Sequence, residues 1–114
     1  MTLNVEMITV DCADPDGLAA WWAEAAGGEV NAVAPGNFVM VTGEGRPALG
    51  FQLIPDPTPG KNKVHLDFHA DDKEAEVARL VELGARETGR HSFGAEFTWV
   101  VLADPEGNAF CVSG

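Results

Sequence analysis

Cationic side chains are scarce in this sequence. Seven Lys and Arg stand against 18 Asp and Glu, a formal net charge of −11. No basic stripe interrupts the imbalance, so a nucleic-acid partner is not expected. The acidic balance reads first as a solubility device. Its sharper reading is a field that favours cationic or neutral ligands over anionic ones. Cysteine is rarer still. Cys12 and Cys111 are too few for a disulfide framework. Both lie in apolar, strand-like stretches, where small buried thiols of a cytoplasmic protein are expected. Long apolar runs are missing: none approaches the roughly 18 residues that a membrane span needs. The stretch MTLNVEMITVDC has no basic region and no signal-type apolar core, so neither a membrane nor export enters the expectations.

What remains is the composition of a globular chain. Of 114 residues, 46% are apolar and 22% charged, enough to bury one core without disulfides. Residues 3–12 alternate: Met7, Thr9 and Asp11 share one face, and Ile8, Val10 and Cys12 the other. This predicts a strand. DPDG then opens a helix, with Asp14 as cap and Pro15 in the first turn. Leu18, Trp21, Trp22 and Ala25 form its apolar stripe, with one Trp ring for the core and the other for the helix flank or a dimer seam. Gly27-Gly28 closes it. Three strands are expected at 29–34, 37–42 and 48–54. Residues 55–63, with three prolines and a glycine, are a linker.

The same order then recurs. KVHLDFHA, 63–70, reads as a strand. Asp71 is expected to cap a helix, with Glu74 completing a capping box. Val77, Leu80 and Val81 are its stripe, Gly84 its end. Strands follow at 86–91, 97–103 and 109–112. ADPDGLAAWWAEAAG aligns with ADDKEAEVARLVELG, pairing Asp14 with Asp71 and Gly27 with Gly84. The chain is thus a tandem βαβββ duplication: module one 1–54, linker 55–63, module two 64–114.

These two modules, the HLDFHADD start of the second and the terminal LADPEGNAFCV resemble the glyoxalase/bleomycin-resistance/dioxygenase superfamily, also called vicinal oxygen chelate proteins. The resemblance implies an α+β fold, with curved mixed sheets around a cleft, commonly completed in a homodimer. It also implies, for the enzymes, a divalent metal held by His and Glu, sometimes Gln, from the first and last strand of each module. That metal acts as a Lewis acid on adjacent substrate oxygens. His65 matches the second module's His. Gln52 matches the last strand of the first module. The other matching positions hold Met7, or Ile8 if the strand lacks a bulge, and Cys111, where His and Glu would stand. No cofactor is therefore expected; were a divalent metal bound, His65 and Gln52 would be its ligands. Cys111 reads as a buried thiol, although a thiolate with an imidazole suits zinc or copper.

His65, Asp67 and His69 form H-x-D-x-H on one strand face, about 6.5–7 Å between alternate positions. The simpler reading is a polar cleft lining; convergence on a metal is the sharper one. An acid–base role for His65 with Asp67 stays open. His91 is expected to be a solvated residue at a loop or strand end. Trp99 is either core or cleft wall. Two functions follow. One is a binder of the bleomycin-resistance type that sequesters a hydrophobic, aromatic or cationic natural product. Thr9, Asp11, Gln52, His65 and Asp67 would orient it, Met7, Phe38 and Trp99 would form walls, and Cys111 would lie at the site. The other is a metal-dependent lyase, isomerase or dioxygenase acting on vicinal oxygens.

Overall fold

The computed structural model describes residues 4–57, 64–95 and 97–114, apart from the side chains of Phe93 and Phe97. The chain divides into two compact units, Met1–Pro57 and Thr58–Gly114. Each holds one helix and one four-stranded mixed sheet, an α+β architecture.

In the first unit, β1 (Met7–Cys12) leads into α1 (Pro15–Ala26), followed by β2 (Glu29–Ala34), β3 (Phe38–Thr42) and β4 (Ala48–Leu53). The sheet order is β1-β4-β3-β2, with β1 parallel to β4 and the other pairs antiparallel. The strand begins later than expected. Asn4, Val5 and Glu6 precede it, and residue 3 lies outside the described residues. The Asp14 carboxylate accepts the Gly17 N–H at 3.1 Å, and Pro15 fills the first helical position, whose N–H has no intrahelical partner in any case. Leu18, Ala19, Trp22 and Ala25 are buried. Trp21 stays half-buried, edge-on to Trp22 with ring centroids 5.0 Å apart. Below the helix lie Cys12, Val39, Val41, Leu49 and Phe51, each at most 6% exposed. The helix end is held by Arg46, which donates to the carbonyls of Ala26 and Gly27, a cation at the negative end of the macrodipole.

The second unit repeats this order: β5 (Leu66–His69), α2 (Lys73–Leu83), β6 (Arg86–Phe93), β7 (Phe97–Ala103) and β8 (Ala109–Ser113). Its sheet runs β5-β8-β7-β6, again with the outer pair β5–β8 parallel. Of the stretch expected as linker, residues 58–63 lie outside the described residues, as does residue 63 of the following strand. The expected cap is displaced. Asp72, not Asp71, accepts the Ala75 N–H at 3.1 Å, and its backbone carbonyl receives Glu76 N–H. The Asp71 carboxylate lies instead 3.6 Å from His69 Nε2. With Asp72 as cap the third helical residue is Ala75, so no capping box forms. The second helix is consequently one residue shorter, 11 against 12. Glu74 is left to pair with Arg90 of β6 at 2.8 and 2.9 Å, and Glu87 pairs with the same guanidinium at 3.0 Å. Those hydrogen bonds hold both carboxyl groups below the usual glutamate range and raise the pKa of Arg90. All three are exposed, so the gain in stability is small.

The apolar stripe of α2 is narrower than its sequence suggested. Val77 and Leu80 are buried, while Val81 is 45% exposed. Gly84 ends the helix at φ 118°, a left-handed conformation that glycine adopts without a Cβ penalty. β6 runs to Phe93, so His91 belongs to a strand rather than to a loop. Asp104-Pro105-Glu106-Gly107 is a β-turn, closed by Gly107 N–H to Asp104 carbonyl at 2.8 Å. Both cysteines are buried and unbridged. No helix among the described residues is long and apolar enough to cross a membrane.

Candidate functional site

In each unit one sheet face carries the helix and the other does not. Period-two alternation decides which side chains go where. On β1, Ile8, Val10 and Cys12 lie with α1, and Cys12 Sγ reaches the Gln52 carbonyl at 3.6 Å. Met7, Thr9 and Asp11 take the opposite face. Strand register sets their neighbours. Asp11, Gln52 and Phe38 form one row across β1, β4 and β3; Thr9, Gly50 and Met40 form the next. All five ligand-binding residues expected in this module therefore share a face. Met40 belongs there too and was missed, although its spacing of two from Phe38 announces it.

Gly50 is the centre of that face. A Cβ there would stand 3.0 Å from Met7 Sδ, 3.1 Å from Phe38 Cζ and 3.1 Å from Thr9 Oγ1. The missing side chain lets these three groups fold down onto β4. Gly50→Ala is expected to lift them, at a cost of about 1 kcal/mol, because their ends give way into solvent. Thermal melts measure that cost, and a displaced Met7 methyl resonance reports the lift; unchanged resonances would show that the face is not closed over Gly50.

In the second unit, Leu66 and Phe68 lie with the buried core, and Asp67 and His69 take the other face. Asp67 pairs in register with Cys111, and Cys111 with Val101; His69, Ser113, Trp99 and His91 form the adjacent row. His65 stands just before β5. Its Nδ1 lies 3.2 Å from Asp67 Oδ1 and 3.8 Å from Cys111 Sγ. Exposure grades across the cluster: side chains of Asp67 and His65 are 69% and 36% exposed, and Cys111 is 6% exposed. Cys111 is thus buried, as expected, yet it also touches the His65 ring. Trp99 is half-buried and packs against His91, with ring centroids 5.5 Å apart and a tilt of 34°. His91 is exposed, as expected, but has a ring partner that only strand pairing reveals.

The sequence-predicted residues therefore fall into two groups. Met7, Thr9, Asp11, Phe38 and Gln52 assemble in the first unit, and His65, Asp67, Trp99 and Cys111 share a face in the second. His65 and Gln52, the pair expected to hold any metal, belong to different units. Within the second unit, Asp67 stands next to His65.

The geometry has relatives. A family model described as a glyoxalase-like domain matches residues 7–113. A glyoxalase/bleomycin resistance protein/dioxygenase family enzyme from Burkholderia phytofirmans PsJN superposes with a TM-score of 0.81 at 21% identity, over 97% of this chain and 98% of that one. A lactoylglutathione lyase from Agrobacterium tumefaciens gives 0.73 at 20% identity, over 99% and 94%. An antibiotic binding protein from Streptomyces sp. CB03234 gives 0.70 at 22% identity, over 98% and 95%. No curated protein matches the sequence. At these identities the solved structures share the fold, while the family model spans nearly the whole chain: the protein belongs to the glyoxalase-like domain family.

Proposed function

We propose that this protein binds a small planar, aromatic or cationic natural product and holds it without converting it, as a cytoplasmic homodimer of the bleomycin-resistance type. The fold does not choose between binding and catalysis, since it serves both a lyase and an antibiotic binding protein among the similar structures. The side chains carry the choice. Of the four positions where the resemblance implies metal ligands, Gln52 and His65 keep the pattern, while Met7 and Cys111 stand in place of His and Glu. A thioether and a thiol are poor donors for a hard divalent ion. No catalytic step is therefore derived through the family's metal.

What those faces offer suits a ligand. Met7, Phe38 and Met40 supply soft apolar surface, and Trp99 with His91 supplies a ring platform. Thr9, Asp11, Gln52 and Asp67 supply a few directional polar groups. The net charge of −11 favours a cationic partner over an anionic one. His65 beside Asp67 is also a pair able to transfer a proton, its Nδ1 being the ring nitrogen held at the carboxylate.

Titration with a panel of planar and cationic natural products should quench tryptophan emission saturably, and mass spectrometry should recover the ligand unaltered. Trp99→Phe should keep the affinity and lose most of the quenching, because Trp21 and Trp22 lie on α1. Absence of a saturable response across the panel, or turnover of the bound compound, overturns the proposal.

A further inference from the structure

One row of the second sheet's open face carries His69 of β5, Ser113 of β8, Trp99 of β7 and His91 of β6. Its last two members form a ring pair at the β6 edge. The His91 imidazole packs on the Trp99 indole with centroids 5.5 Å apart and a tilt of 34°. The backbone holds it there. His91 and Trp99 are register partners, and Gly89, two residues earlier on the same face, is the partner of Val101. A Cβ on Gly89 would stand 3.1 Å from His91 Nε2. A glycine inside a strand weakens it, and here the space it leaves is taken by the imidazole.

The charges around His91 are distant or turned away. From β7, beside it, the open face presents Trp99 and Val101; from β8, Ser113 and Cys111; from β5, Asp67 and His69, with His65 just before that strand. In the sheet order β5 is three strands from β6. On β6 itself, Arg86 is the register partner of Ala103, two rows away. Arg90 turns to the helix side, where Glu74 and Glu87 pair with it. Among the described residues no carboxylate forms an ion pair with His91, so the group that feels its charge first is the Trp99 indole.

Histidine is the side chain whose charge ordinarily changes between about pH 5 and 8. We propose that His91 makes the Trp99 platform selective by ligand charge: above that range the indole accepts a planar cation, and below it the neighbouring imidazolium repels one while leaving a neutral ring unaffected. This selectivity rests on the binding reading given above. An indole face attracts a cation that lies within about 6 Å of its centroid. An imidazolium 5.5 Å from the same ring already satisfies that attraction, and a cationic ligand stacking there meets a like charge. Like charges about 6 Å apart at a wet surface weaken binding roughly three- to tenfold. A neutral planar ring meets no such repulsion.

Two measurements on the full chain test the proposal. Without ligand, tryptophan emission should fall in one step between about pH 8 and about pH 5.5, because an imidazolium in ring contact quenches an indole more strongly than an imidazole does. His91→Gln and Trp99→Phe should each remove the step. Equilibrium dialysis then uses N-methylacridinium, a planar ring of fixed charge, and acridone, its neutral counterpart. The cation should bind roughly three- to tenfold more weakly at the lower pH, and acridone equally at both. His91→Gln, at an exposed position, should bring the ratio for the cation close to one, with an unchanged circular dichroism spectrum. An emission step that is missing, or that survives in His91→Gln, overturns the inference. So does a cation affinity that ignores pH, or one whose pH dependence survives in His91→Gln, which would move the effect to His65, His69 or Asp67. Binding of neither probe at any pH overturns it as well; the wider binding reading is then judged by the natural-product panel alone.

Discussion

Phe110→Ala is expected to lower stability by about 3–5 kcal/mol, the usual cost of emptying a phenylalanine site in a packed core. Phe110 is 2% exposed. Its ring meets Phe68 edge-on, with centroids 6.1 Å apart and planes at 87°. In register it lies between Leu66 of β5 and Leu102 of β7, so one side chain links three strands. Truncation leaves a void that Leu102, already fully buried, has little freedom to fill. Against a total stability of roughly 5–15 kcal/mol, the loss is large. The melting temperature should fall by roughly 10–20 °C, with a matching drop in urea midpoint. Val81→Ala is the internal control: at 45% exposure it should change stability by less than about 1 kcal/mol. Equal effects of the two substitutions would show that Phe110 is not core.

The second large effect is expected at Asp104, a charged group only 4% exposed. One carboxylate oxygen accepts the backbone N–H of Glu106 at 3.0 Å and of Asn108 at 2.9 Å. The other accepts the Asn108 side-chain amide at 2.9 Å. A buried carboxylate is tolerated because its lone pairs meet converging donors. Asp104→Ala leaves those N–H groups without an acceptor. It should cost about 2–3 kcal/mol, the range for hydrogen bonds to a charged group. Asp104→Asn keeps one oxygen but turns an NH2 toward other donors, so it should recover only part of the loss. Wild-type stability in Asp104→Ala would mean that the turn is held by its backbone bonds alone.

Much of this molecule is legible along the chain. Alternation on residues 7–12 assigns Met7, Thr9 and Asp11 to one face and Ile8, Val10 and Cys12 to the other, because successive strand side chains must point oppositely. Glycine and proline mark the breaks, and the repeated order of strands and helix announces two similar modules. Adjacent choices of nearly equal local merit were decided elsewhere. Asp71 and Asp72 are the same residue type, and only the carboxylate that reaches the Ala75 N–H caps the helix. Val81 continues a helical stripe in sequence, yet the helix rests on Val77 and Leu80. The donor cluster was beyond the chain's local signals. Periodicity says which face Asp67 and Cys111 occupy, but not that they are neighbours. His65 and Cys111 are 46 residues apart, and their 3.8 Å approach exists because β5 and β8 pair in parallel at one register. Face is a property of the local backbone and can be read from sequence. Neighbourhood across strands is set by the packing of Phe68, Phe110 and Val112 beneath them, and that belongs to the tertiary structure alone.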